Sequence, residues 1–243
     1  MGIDVTVNRE VKFNDAHEHR VITGVHLNPK KSKVGRNPCL NIFSIYTRTK
    51  QGDLRRDGNP LIYALKSLNG FTISKSELRA FKPTFSAIVD KTLLGLPFAS
   101  VLTMPSSSAL AEQFGRRIAR KLCGNMVSNA FCKRTATEIL AEYRQRHVVP
   151  KTRHKSDVNR VLAELNKVPP NTLFSMKLVE NNIREYFRPL KLNPVCDLRL
   201  IMKGPVLLVD DLLSTGTTLL NAREELERVD IQCHSAICLL SDL

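Results

Sequence analysis

The chain has 243 residues, 42% hydrophobic and 25% charged, the composition of one large α/β domain or of a domain with an appendage. No apolar run is long enough to span a bilayer, and the N-terminus has no apolar signal core, so a cytoplasmic chain without a membrane partner is expected. Lys and Arg outnumber Asp and Glu 37 to 23, a net charge of +14 that favours polyanionic partners such as nucleic acid or nucleotides. Aromatic residues are only 6% with no Trp, and no interleaved run suggests base stacking. The six cysteines form no C-x-x-C pair and are expected to be reduced. His17 and His19 read as residues of a polar stretch rather than as a ligand pair, and no protein metal site is expected.

Residues 1 to about 27 read as short strands with a polar break, and Pro29 to Asn37 as a basic loop. Leu40 to Thr47 alternates as a strand does. Gln51 to Asn59 is a turn-rich linker, and Asp57-Gly58-Asn59-Pro60 is a stop signal. The expected division is therefore N-terminal strands or a hood over 1–55 and a main domain over 56–243. Leu61 to Leu68 reads as helical. Leu78, Phe81, Phe85, Ile88, Val89 and Leu93 repeat helically across Ser74 to Leu94, with Pro83 placed to break or kink the run.

Phe98 to Thr103 is a short apolar strand, followed by Pro105-Ser106-Ser107-Ser108. The next helix, Ala109 to Leu122, carries Leu110, Phe114, Ile118 and Leu122 on one stripe. Residues 125–193 form a basic insertion. Helices are expected near Thr135 to Arg144 and Val158 to Leu165, joined by the basic linker His147 to Lys155. A strand is expected near Leu198 to Met202, then a turn at Gly204-Pro205 and a last buried strand at Ile231 to Leu240.

Residues 206–218 carry the most information: Val-Leu-Leu-Val-Asp-Asp-Leu-Leu-Ser-Thr-Gly-Thr-Thr. Asp210 and Asp211 close a buried strand, where ligands collect in open α/β sheets. Ser214, Thr215, Gly216, Thr217 and Thr218 form a hydroxyl-rich turn before the amphipathic segment Leu219 to Val229. Free N–H groups and the helix dipole there favour an anion. Gly216 lets the backbone approach it. Paired carboxylates accept hydrogen bonds from vicinal hydroxyls such as those of a ribose. An ordinary helix N-cap needs one capping residue, not two acids and four hydroxyls. The combined chemistry is recognition of a sugar phosphate.

This segment resembles the phosphoribosyl diphosphate (PRPP) binding motif of type I phosphoribosyltransferases, in all thirteen positions. The resemblance implies an α/β fold with a mainly parallel sheet and helices on both faces, and PRPP held by Asp210, Asp211 and residues 214–218. It carries the diphosphate loop to Ser106, Ser107 and Ser108, each of which also reads as a helix N-cap, with Arg116 a weaker candidate beyond. Mg²⁺ would travel with the diphosphate, whose hard oxygens it prefers. Catalytic candidates are Asp210, Asp211, Lys133 and Arg134; the last two would stabilise the leaving diphosphate, or else are surface cations. The order of Tyr46, Leu61 to Lys66, the serine loop, Asn181-Asn182-Ile183-Arg184 and the PRPP motif is similar to the competence-protein F group. That group usually has Arg-Gly-Phe-Asn where Glu112-Gln113-Phe114-Gly115 stands here, and it commonly has zinc-ribbon cysteines, which are missing. Ser214 replaces an aspartate of the 6-oxopurine relatives, which argues against a hypoxanthine or guanine acceptor.

The activity implied is transfer of ribose 5-phosphate from PRPP to a nitrogen acceptor with release of diphosphate. The charge and the long basic insertion raise one alternative, a regulator of this fold that binds nucleic acid; a related one, an effector modifying nucleotides or nucleic acid as in microbial defence, is singled out by no residue. The insertion either closes over the ligand or adds a binding element. A homodimer or a protein partner is left open.

Overall fold

In chain order the elements are β1 (Gly2–Val5), β2 (Glu10–Asn14), β3 (Val21–Ile22), β4 (Lys30–Val34), β5 (Leu40–Arg48), α1 (Pro60–Leu65), β6 (Thr72–Ile73), α2 (Lys75–Ala80), α3 (Lys82–Leu93), β7 (Ser100–Thr103), α4 (Leu110–Leu122), β8 (Asn125–Val127), β9 (Phe131–Lys133), α5 (Ala136–Gln145), α6 (Lys155–Leu165), β10 (Leu190–Leu192), β11 (Val206–Leu213), α7 (Thr217–Glu227) and β12 (Ser235–Ser241). They come from a computed structural model that describes residues 1–35, 39–49, 59–95, 98–201 and 204–241. The protein is a mixed α/β chain built around a seven-stranded mixed sheet, with a three-stranded and a two-stranded sheet beside it among the described residues.

Within that sheet β8, β7, β11, β12 and β5 lie side by side and parallel, and β3 and β4 add antiparallel to β5. Val206–Val209 of β11 and all of β7 are buried, as continuous apolar strands covered on both faces must be. Leu207, Val209 and Ile237 turn to one face and share a core with Ile88 and Val89 of α3 and Phe114 and Ile118 of α4. Leu208, Ala236 and Cys238 turn to the other, against Leu219, Ala222 and Leu226 of α7. From β7 the chain crosses through α4 outward to β8. From β11, the other neighbour of β7, it crosses through α7 to β12 on the opposite side. The loops after β7 and β11 therefore part from each other at a topological switch point, where a crevice opens at the carboxyl ends of the strands. α4 lies close on β7 because Gly115 has no side chain; a Cβ there would stand 2.3 Å from Thr103 Cγ2.

Several expectations are corrected. The basic loop Pro29 to Asn37 contains strand β4, whose lysine-rich sequence pairs along β5 from Lys30↔Ser44 to Val34↔Leu40; charge suits a sheet edge. The single helical run at Ser74 to Leu94 is two helices, with Phe81 capping both and Pro83 in the first turn of α3, where its missing N–H leaves no bond unmade. Leu198–Leu200 is a 3-10 turn, not a strand, started by Asp197 Oδ1 accepting from Arg199 N at 3.0 Å. β11 is longer than its four apolar residues and runs through both acids to Leu213. Residues 51–58 of the linker, and with them the boundary near 55, lie outside the described residues, as do residues 36 and 37 and Met202. On either side of that boundary the chain shares its sheets: β3, β4 and β5 belong to the main sheet, while β1 and β2 pair with β6.

The insertion has its own core, in which Ile139 of α5 and Val158 of α6 meet Phe174, Ile183 and Phe187. α5 opens with a capping box: Thr135 Oγ1 accepts from Glu138 N at 3.3 Å and Glu138 Oε2 accepts from Thr135 N at 2.8 Å. No helix among the described residues is long and apolar enough to cross a membrane.

Candidate functional site

The crevice is a cavity of about 230 Å³ lined by Asp210 and Thr218 from the β11–α7 segment, by Met104–Ser108 after β7, by Lys66, and by Lys133, Phe174–Lys177 and Pro189–Leu190 of the insertion. Segments far apart in sequence thus meet around the residues singled out above.

The two acids are neighbours on an extended strand and so turn to opposite faces. Asp210 lines the cavity. Its carboxyl is pushed up to about 7, chiefly by burial and then by the charge of Asp211. Asp211 is buried and already engaged. Its Oδ2 lies 2.6 Å from Lys66 Nζ, with the two side chains only 7% and 16% exposed. The same oxygen accepts from Ser106 Oγ at 3.4 Å, so Asp211 ties the end of α1 to the serine loop.

The hydroxyl loop follows. Gly216 is left-handed at φ 74° and caps α7. A Cβ on it would stand 2.9 Å from Val34 Cγ1, so β4 closes down on this turn. Thr215 and Thr217 share a hydrogen bond of 3.0 Å between their Oγ1 atoms. Ser214 Oγ accepts from Arg184 Nη1 at 3.0 Å, so the insertion holds the loop directly. Thr218 faces the cavity with Asp210, whereas Thr215 and Thr217 line an open cleft of about 780 Å³ on the other side, with Lys151, Arg153, His154 and Arg188. The expected effect of Gly216→Ala is a loss of roughly 1–3 kcal/mol, because L side chains resist this φ and Val34 occupies the space. Trimming Val34 to Ala in the same chain should restore only the part due to the clash, which thermal melts of the single and double variants would separate.

Of the other candidates, Ser106, Ser107, Ser108 and Lys133 line the cavity. Two are placed elsewhere. Arg134 is buried and points away, donating from Nη2 to Glu225 Oε1 of α7 at 3.1 Å and from Nη1 to Leu190 O at 2.5 Å. Arg116 is exposed on α4, paired with Glu112 at 2.5 Å in an i,i+4 bridge, and does not line the cavity. Lys66, Lys177 and Arg184 were not among the candidates and do reach the site. Lys66 and Arg184 carry a signal in the order of motifs quoted above; Lys177 carries none. Tyr46, from that same order, is buried with its hydroxyl donating to Phe81 O at 3.3 Å, and lines a separate apolar cavity with Phe81, Phe85 and Phe114.

The donor set does not fit a resident Mg²⁺. Among the described residues no three His, Cys, Asp or Glu side chains are grouped to hold a metal. Asp211 is taken by an ammonium and a hydroxyl, which leaves Asp210 as the one carboxylate among the described residues that lines the cavity without a cation already on it. No family model matches the chain, and no curated protein matches it.

Proposed function

We propose that the chain is a phosphoribosyltransferase-like protein that binds PRPP in this crevice and transfers ribose 5-phosphate to a nitrogen acceptor. The observation that carries the reading is convergence: Asp210 and Thr218, the serine loop, and Lys66, Lys133 and Lys177 line one cavity at the switch point of the sheet. A pentose bearing phosphate at one end and diphosphate at the other needs acceptors for its hydroxyls and donors or cations at both ends.

In this reading Asp210 accepts from the ribose hydroxyls. The 5-phosphate takes the free N–H groups and hydroxyls at the start of α7. The diphosphate lies toward the serine loop and the lysines. The anomeric C–O bond breaks, diphosphate leaves with the electron pair, the acceptor nitrogen bonds to the anomeric carbon, and its proton goes to solvent. Positive charge builds on the sugar as that bond opens. The site's contribution is alignment and neutralisation of the leaving group rather than a protein nucleophile.

The test is diphosphate release from PRPP with a panel of bases and nucleotides. Asp210→Asn and Asp211→Asn are each expected to abolish it, the first by removing the ribose acceptor and the second by releasing Lys66. Tight PRPP binding with no turnover across the panel would sink the enzyme and leave a PRPP-sensing regulator.

One observation favours a nucleic-acid partner as a second reading. Arg144, Lys151, Arg153 and Lys155 are exposed around the α5–α6 connection, and two of them line the cleft behind the hydroxyl loop. On this reading, retention on DNA or RNA falls with salt, and the slope of that fall shrinks when these four residues are neutralised.

A further inference from the structure

We infer that this site neutralises the diphosphate end of its ligand with lysine ammonium groups in place of a divalent cation. The inference rests on the sugar-phosphate reading above and adds to it how the leaving group is handled.

Three lysines from three separate segments line the cavity: Lys66 just after α1, Lys133 at the end of β9, and Lys177 in the 3-10 turn Met176–Leu178. Among the described residues, Asp210 is the one acid that lines it with them. No ion pair joins Lys133 or Lys177 to an acid among the described residues, so their charge is available to a ligand.

Lys66 is held differently. Asp211 fixes its ammonium at 2.6 Å with both side chains largely withdrawn from water, and Ser106 of the serine loop bonds the same carboxylate oxygen. A metal seated on Asp211 would have to evict that ammonium and leave it in a poorly solvated place, which is strongly unfavourable. A Mg²⁺ that travels with the diphosphate keeps its waters and is held through one or two carboxylates besides the phosphate oxygens, and Asp211 is not open to it. A lysine binds phosphate as a point charge and needs no such shell. Lys66 therefore meets the ligand already desolvated and oriented, and Asp211 is its positioning residue.

The deciding experiment is calorimetric titration of PRPP into the full chain, once in excess EDTA and once in excess MgCl₂. Affinities within about threefold of each other support the inference. Binding that disappears in EDTA and returns with Mg²⁺ overturns it while leaving the sugar-phosphate reading intact. No binding in either medium overturns the sugar-phosphate reading itself, and the inference with it.

Variants locate the charge. Lys66→Met, Lys133→Met and Lys177→Met should each weaken binding in EDTA by about tenfold, the scale of one charge-assisted contact. Lys66→Met also frees Asp211, so Mg²⁺ should recover part of its loss, and Lys66→Arg should retain most of the affinity. An equal loss for Lys66→Met in both media, with folding intact by circular dichroism, would make Lys66 merely structural and overturn its part in the inference.

Discussion

Asp210→Asn is expected to raise the melting temperature at pH 8 while weakening PRPP binding at least tenfold. The carboxyl of Asp210 is held at about 7 in the folded protein against an ordinary value of 3.8, first by burial and then by Asp211. At pH values below about 4 the acid is neutral in both folded and unfolded chains, and the substitution should be nearly silent. Between there and about 7 the folded chain keeps a proton that the unfolded chain has lost, so stability falls as pH rises. Above 7 the penalty is complete. A shift of this size corresponds to at most about 4 kcal/mol, an upper bound because the carboxyl opens onto the cavity. Asparagine keeps an oxygen to accept from Asp211 N, the bond Asp210 Oδ1 makes at 2.8 Å, so little is lost elsewhere. At about 2–4 °C per kcal/mol for a chain of this length, the gain should reach several degrees. Melts of wild type and variant at pH 4, 6 and 8 check it, and identical curves at pH 8 would remove the claim that Asp210 is held out of its ordinary range. A carboxyl that costs stability in this way fits the ligand-binding role proposed for Asp210.

What was legible in the sequence was what local pattern dictates. The apolar runs before the serine loop and before the twin acids bury both faces of a strand, and the stripe of Leu110, Phe114 and Ile118 buries one face of a helix. Their strands and helices lie where the periodicity puts them, apart from their ends. β8, β9 and β10 have three residues each, too few to display a period. β4 reads Lys-Lys-Ser-Lys-Val, and nothing but its pairing with β5 makes it a strand. The site divides the same way. Asp210 to Thr218 is contiguous and visible as a motif. The ammonium on Asp211 comes from Lys66 and the guanidinium on Ser214 from Arg184, contacts that exist only once distant segments have docked. The different duties of two adjacent acids follow from the two-residue period of a strand, but only after β11 is seen to continue past them.

Lys133, the last residue of β9, and Arg134, just past its end, are adjacent residues that the sequence offered in one role and that the fold separates. Arg134→Met is expected to cost about 3–5 kcal/mol of stability, because it strands a buried charge. Glu225 would still accept from Arg228 Nη1 at 2.6 Å and Leu192 N at 3.4 Å, but Arg228 is half exposed and replaces the buried guanidinium poorly. The carbonyl of Leu190 would lose its guanidinium donor as well. The bond between Arg134 and Glu225 ties β9 and the start of the insertion to α7. Asn221, accepting from Leu190 N at 2.6 Å, and Glu224, paired with Arg188, reinforce the same seam. Loss of Arg134 should therefore loosen the insertion against the helix that carries the hydroxyl loop. Replacing Glu225 by Gln in the same chain removes the stranded charge and should return part of the stability, a coupling that the double-mutant cycle reads directly. Lys133→Met, one residue away, should leave the unfolding free energy within about 0.5 kcal/mol of wild type, as for a surface substitution, and act on ligand affinity alone. Urea denaturation of wild type, the three variants of the cycle and Lys133→Met, with PRPP titrations beside it, distinguishes the two residues. An Arg134→Met chain as stable as wild type yet unable to release diphosphate would return Arg134 to the reaction and dissolve the seam assigned to it here.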